Sequence, residues 1–249
     1  MITFKDVKLS YGKKEILKDL NFCIERGKIT SILGPNGCGK TTLLSSLQGN
    51  VDIKGQILIN GVDIRKYKIR ELAKIIAFVP QIYSLSFPYT VKDIVVGGRT
   101  AHINNIPSKE DYKISKKYIE LVGISHLEDI PYTQISGGQR QLVFIARALC
   151  QETDIIVLDE PTSYLDIKNQ IIVMKIIKNL QKTLNKTCIM TLHDPNLALS
   201  YSDETLMFIN GSVSKGLSKD IINQSNIKSS YGINSRKIYL EENEFLYFK

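Results

Sequence analysis

The sequence predicts an α/β fold with an N-terminal antiparallel part and a helical insertion. Three observations predict it. Ile29–Leu33 is a short, mostly apolar run that a glycine-rich loop interrupts at Gly34, and Leu43, Leu44 and Leu47 follow at the spacing of one helix face. Two further apolar runs, Ile155–Leu158 and Cys188–Leu192, each end in polar residues; continuous apolar runs of this length mark parallel strands covered on both faces. From Ile82 to about Asp154 strand pattern gives way to helix pattern.

The bulk properties set limits. At 249 residues the chain is one large domain or a core with a small subdomain. Its 43% hydrophobic content is ordinary for a globular protein. The net charge is +8, but the lysines are scattered, which reads as a solvated basic surface, not a nucleic-acid stripe. Cys23, Cys38, Cys150 and Cys188 lie far apart, which argues against a disulfide framework or zinc site and for a reducing compartment. Met1–Asp6 lacks the apolar core of a signal peptide. No stretch approaches the ~18 apolar residues of a spanning helix. Leu142–Cys150 comes nearest, and Arg147 interrupts it. The expectation is a cytoplasmic chain that leaves any membrane crossing to another polypeptide.

The elements follow in order. Val7, Leu9 and Tyr11 alternate with polar neighbours as in a half-buried strand, Tyr11–Lys14 turns the chain, and Leu20, Phe22 and Ile24 mark a second strand. Tyr11 reads equally as a packed surface ring or as an aromatic shelf for a base. Gly34–Thr42 fits the phosphate-loop pattern G-x-x-x-x-G-K-[ST]. Glycines 34, 37 and 39 let the backbone turn and aim N–H groups at an anion, and the helix that follows adds its positive end. Lys40 supplies a mobile charge, and Thr41 offers a hydroxyl to Mg²⁺. The chain therefore binds a nucleoside triphosphate. Gly55–Gly61 is a strand that ends in an Asn-Gly turn, Arg70–Lys74 is helical, and Ile75–Val79 is a buried strand that Pro80 stops. Gln81 lies just past that strand, where open α/β sheets bind ligands.

Ser108–Asp111 resembles a capping box with Asp in the Glu position, and Tyr112, Ile119 and Val122 mark one face of the helix it starts. Ser136 caps the next helix, whose buried face is Leu142, Ile145, Ala146 and Leu149. Gly137 and Gly138 leave its N–H groups bare, so it reads either as a plain cap or as a second anion site. Ile155–Leu158 ends in Asp159-Glu160. There Asp159 is placed to hold Mg²⁺ through water, and Glu160 to take a proton from attacking water. Asp166 caps a helix that carries Ile172, Ile176, Leu180 and Leu184. His193 closes the Cys188–Leu192 strand and is placed to contact a γ-phosphate, with Asp194 and Pro195 opening a helix. Residues 205–216 form a hairpin about Asn210-Gly211, and Lys237–Lys249 a small two-stranded unit about Glu242-Asn243.

Taken in this order, Tyr11, Gly34–Thr42, Gln81, Ser136-Gly137-Gly138-Gln139, Asp159-Glu160, Ser163–Asp166 and His193 resemble the ATPase subunits of ATP-binding cassette (ABC) transporters over essentially the full length. The resemblance implies a P-loop NTPase (RecA-like) core at 1–82 and 155–249, with a helical subdomain at 83–154. It implies that Tyr11 stacks on adenine and that Asn36, Gly37, Cys38, Gly39, Lys40, Thr41 and Thr42 hold the phosphates of ATP. Thr41, Gln81 and Asp159 would serve Mg²⁺, Glu160 would be the general base and His193 would touch the γ-phosphate. Ser136, Gly138 and Gln139 would serve the nucleotide of a second copy in a head-to-tail homodimer. Separate permease subunits, an extracytoplasmic substrate-binding protein acting through them and a place at the cytoplasmic face of the membrane are also implied. Gln81 and the helical insertion would carry closure to the membrane partner.

Small departures stand out. Ile135 replaces a commoner leucine, Cys38 replaces serine and predicts sensitivity to thiol reagents, and Tyr164 is bulky for its place. Phe87–Val91, Gly98–His102 and His193–Ala198 look like importers of iron chelates, haem and cobalamin, a group with molybdate and tungstate relatives. A two-chain exporter and a cassette ATPase outside transport are the competing readings.

Overall fold

The computed structural model describes residues 1–81, 87–240 and 243–249. Ile82 and Glu242, named above at the insertion's start and the tail's turn, lie outside those residues. In chain order the described strands are β1 (Ile2–Tyr11), β2 (Lys14–Ile24), β3 (Ile29–Leu33), β4 (Asp52–Ile59), β5 (Val62–Asp63), β6 (Ile76–Val79), β7 (Ile155–Leu158), β8 (Thr187–Thr191), β9 (Glu204–Ile209), β10 (Ser212–Leu217), β11 (Ser235–Leu240) and β12 (Asn243–Phe248). The helices are α1 (Lys40–Ser46), α2 (Ile69–Leu72), α3 (Val91–Val96), α4 (Lys109–Leu121), α5 (Gly137–Cys150), α6 (Ile167–Leu184), α7 (Pro195–Tyr201), α8 (Ser218–Ile221) and α9 (Gln224–Tyr231). The chain divides into two compact units, Met1–Tyr67 with Gln181–Lys249, and Lys68–Leu180.

The first unit holds an antiparallel sheet of order β2-β1-β4-β5. Its hairpin turns at Tyr11–Lys14, as the alternation predicts, and pairs Ile2 with Ile24. Phe4 stacks on Phe22 at 4.5 Å, and Val7, Leu9, Ile57 and Ile59 complete a buried stripe. β4 starts at Asp52, three residues before the expected strand, and turns at Asn60-Gly61 with φ of 50° and 84°. Two consecutive left-handed residues make a type I′ turn, the one that matches strand twist. The same unit contains strands in the order β10-β9-β3-β8, with β3 parallel to both neighbours. All five β3 residues are buried, and each apolar one contributes about 1.5–3 kcal/mol against exposure. The hairpin of β9 and β10 turns at Asn210-Gly211 as expected. Helices α8 and α9 have no counterpart in the sequence reading: α9 buries Ile227 alone, so no apolar period marks it.

In the second unit β6 and β7 pair in parallel, Ile76 opposite Ile155, and α3, α4 and α5 pack on one another. Three of its helices start with reciprocal caps, Thr90 with Asp93, Ser108 with Asp111, and Ser136 with Gln139. Asp166 caps α6, accepting from Asn169 N at 2.7 Å. Two expected helix faces are met only in part. In α4 Ile119, and Val122 at its end, are buried as expected, but Tyr112 is 43% exposed, and Asp111, Ser115 and Tyr118 share the buried face. In α6 the buried face is Val173, Met174, Ile177 and Leu180, leaving Ile172 and Ile176 half-buried and Leu184 exposed. In α6 apolar residues outnumber the positions one face can hold; in α4 the buried face is partly polar, because Asp111 turns inward to Arg99. A buried Arg99 joins three elements. Its Nε donates to Asp111 Oδ1 at 3.1 Å, and its Nη1 donates to Cys150 O at 3.1 Å and Glu152 Oε2 at 2.8 Å.

Candidate functional site

In the first unit β3 ends and the loop 34–39 reverses the chain into α1. Gly39 stands before α1 with φ 106°, a conformation open to glycine, and a Cβ there would meet Leu17 Cδ2 at 2.7 Å. The Lys40 side chain, 6% exposed, folds back over the loop and donates to Gly34 O at 2.8 Å and Pro35 O at 3.0 Å. The ammonium is thus held by the loop's own carbonyls, and Asn36, Gly37 and Thr41 are exposed around it. A fixed cation, a glycine-rich loop at a helix start and a hydroxyl fit a phosphate chain with its Mg²⁺. Burial pushes the Cys38 thiol up, against the smaller opposing pull of Lys40. That shift disfavours the thiolate, the form thiol reagents attack. Tyr11 ends β1 with its ring 49% exposed, as a shelf for a base requires. His193 is exposed, two residues past β8 and two before α7.

The second unit carries the carboxylates. Asp159 follows β7 with 4% exposure, its N–H extending the pairing to Val79 O at 2.8 Å. Glu160 adopts φ 48°, a left-handed conformation that non-glycine residues rarely hold without reason. That turn directs its carboxylate at two donors. Gln81 Nε2 donates to Glu160 Oε2 at 2.5 Å, and Ser163 Oγ donates to the same oxygen at 2.7 Å. The sequence placed Gln81 near a ligand; the structure sets it on the carboxylate. Ser163 enters the sequence reading only as the start of the Ser163–Asp166 segment that carries the resemblance, with no role of its own. Tyr164 is left-handed too, φ 62°, and 84% exposed, so its bulk meets solvent.

Ser136 and Gln139 bond each other. Ser136 N donates to Gln139 Oε1 at 2.9 Å, and Gln139 N donates to Ser136 Oγ at 3.3 Å. Gly138 is buried, and a Cβ on it would lie 2.7–2.9 Å from the Asn169 side chain, so its smallness has a packing reason besides any ligand. The four cysteines are free thiols. Among the described residues no helix is long and apolar enough to cross a membrane.

A family model described as "ABC transporter" matches residues 17–163. An uncharacterized ABC transporter ATP-binding protein of Methanocaldococcus jannaschii is 41% identical over 94% of this chain and 92% of its own length. The molybdate import ATP-binding protein MolC of Haemophilus influenzae is 37% identical over 87% and 81%. The petrobactin import ATP-binding protein YclP of Bacillus subtilis is 35% identical over 93% and 92%. Among solved structures, an inward-facing metal-chelate type ABC transporter chain superimposes with a TM-score of 0.87 at 33% identity, over 100% of this chain and 96% of that one.

Proposed function

The chain belongs to the ABC transporter family as an ATP-binding, ATP-hydrolysing subunit on a P-loop NTPase core, and from that premise we propose that it powers import of a metal chelate through separate membrane subunits. The observation that carries the catalytic part is Glu160, turned into a left-handed conformation and held by Gln81 and Ser163. Two donors on one oxygen fix the plane of a carboxylate, the orientation a general base needs toward attacking water. Lys40 exchanges its loop carbonyls for the outer phosphates, and the 36–42 backbone cradles them. His193 contacts the γ-phosphate, and Tyr11 stacks on the adenine. Thr41, Asp159 and Gln81 supply hard oxygen ligands for Mg²⁺, which neutralises charge on the phosphates when bound.

Ser136, Gly138 and Gln139 serve the nucleotide of a second copy, so the working unit is a head-to-tail dimer. The helical part, residues 83–154, together with Gln81, passes its closure to permease subunits at the cytoplasmic face of the membrane. A substrate-binding protein outside the membrane acts only through those permeases. Names among the relatives support the import direction and a chelate cargo of the siderophore or haem type. The molybdate relative favours one second reading, an oxyanion cargo.

Replacing Glu160 by Gln is expected to keep Mg-ATP binding, to slow turnover about 10²–10⁴-fold and to accumulate dimer. Turnover near the parental rate removes Glu160 as the base. For cargo, cells lacking this subunit are expected to lose iron under scarcity. A fall in molybdenum or tungsten instead selects the oxyanion reading, and no change in any metal rejects both.

A further inference from the structure

The C-terminal hairpin has no part in the chemistry above, and its contacts give it one. β11 and β12 pair antiparallel, Ser235 opposite Phe248. A lone two-stranded hairpin is marginal in water, so its order depends on what it docks against. It docks on α7. The Asn196 carboxamide takes both backbone groups of Leu246: Nδ2 donates to Leu246 O at 3.1 Å, and Leu246 N donates to Asn196 Oδ1 at 2.7 Å. One side chain thus replaces a strand neighbour along that edge of β12. The backbone N–H of Asn196 is held as well, by Asp194 Oδ1 at 2.7 Å.

Asn196 is three residues past His193. On the other side of His193, Leu192 N donates to Ile32 O at 3.1 Å, tying the strand end to β3. The histidine therefore hangs on a short span with two anchors. The sheet is one anchor; α7, which packs on β3 and α8 and against the tail, is the other. A cleft of about 480 Å³ beside it is lined by His193, Asp194, Asn196, Tyr231, Ile233 and Phe248 among others, so tail residues border the imidazole's own surroundings.

We propose that the C-terminal hairpin is a brace that fixes His193 for hydrolysis, and that Asn196 is the positioning residue through which it acts. The proposal rests on the reading of His193 as the γ-phosphate contact. It gives residues 235–249 a role in turnover without contact with nucleotide.

The test uses the full chain. Asn196→Ala is expected to lower kcat about ten- to a hundred-fold, because small misplacements of a catalytic group cost that much, while the Kd for ATP stays near the parental value. Asn196→Asp keeps the acceptor for Leu246 N–H and loses the donor, so its kcat is expected between the two. The chain has three histidines, so their imidazole proton resonances are separable by NMR. In Asn196→Ala the His193 resonance is expected to move, with His102 and His126 in place. An unmoved His193 resonance overturns the brace whatever kcat does. A moved resonance with parental kcat overturns it too, leaving the tail a structural patch. A parental chain without ATP turnover defeats the proposed function instead, and the His193 resonance then still decides whether the tail places that residue.

Discussion

Helices α4 and α5 both open with a serine whose side chain and the N3 side chain cap each other. In α4 the N3 residue is Asp111, whose carboxylate also turns inward to Arg99. Its first turn carries two acids, Glu110 and Asp111, which offset the positive end of the helix. In α5 the N3 residue is the neutral Gln139, and the first turn has no acid. Ser136 and Gly137 are exposed. The same hydrogen bonds are made, but α5 keeps its positive end uncompensated, the condition under which a helix start receives a phosphate. The difference teaches that a capping box is a local device, and that the charge of its third residue decides whether it only stabilises or can also bind.

Removing the acid of α4 should have the largest effect on stability. Asp111→Ala leaves Arg99 buried with only Glu152 as its carboxylate, and the loss is expected near the lower end of the ~3–5 kcal/mol seen when one partner of a buried pair is removed. The Ser108 hydroxyl and N–H, then the Arg99 guanidinium, hold the Asp111 carboxyl below its usual range. A carboxyl lowered by folding stabilises above its unfolded value, near pH ~4, and that contribution fades as pH falls below it. Thermal melts of parent and variant should therefore converge in acid. Divergence at low pH would show that Asp111 acts by shape, not charge.

Next is the pair of serines. Ser108→Ala is expected to cost about 1 kcal/mol. Ser136→Ala, in an exposed box, is expected to cost about half that by the same measure, yet it should lower ATP turnover of the dimer while monomer binding stands. Equal stability losses with turnover intact would erase the contrast between the two helices. The sign of the stability shift reverses for Gln139→Glu. An acid at that helix start should stabilise by about 0.3–1 kcal/mol and still depress turnover, since it places like charge where we propose that phosphate is received. A more stable and equally active variant would break the electrostatic part of the argument.

Legibility in the sequence followed the kind of force involved. The phosphate loop, the Asn60-Gly61 and Asn210-Gly211 turns and the Ser108 and Ser136 caps were readable, because each is fixed by residues adjacent in the chain. The Gln81–Glu160–Ser163 cluster was half readable. The residue types stand where a ligand belongs, but a hydrogen bond across 79 positions leaves no periodic trace. Arg99 belonged to a stretch noted only for its likeness to chelate importers, and its contacts with Asp111, Cys150 and Glu152 are long-range. In α4 the spacing found Ile119 and Val122 but missed at Tyr112, because the buried face takes the polar Asp111 and Ser115; in α6 it could not rank competing apolar residues. Asn196 looked like an ordinary helix residue; nothing local announces that it pairs with a strand fifty positions later.

The placing of β3 between β8 and β9 has a consequence for synthesis. The ribosome makes the phosphate-loop strand early, by residue 33, and β9 ends only at residue 209. At about 5–20 residues per second, roughly 170 residues of translation separate them, a wait of roughly ten to thirty seconds. Until Thr187–Thr191 is made, a five-residue strand destined for burial has neither neighbour to pair with, and until Glu204–Ile209 it has only one. The nascent chain thus carries its nucleotide loop long before the two strands that flank β3 exist.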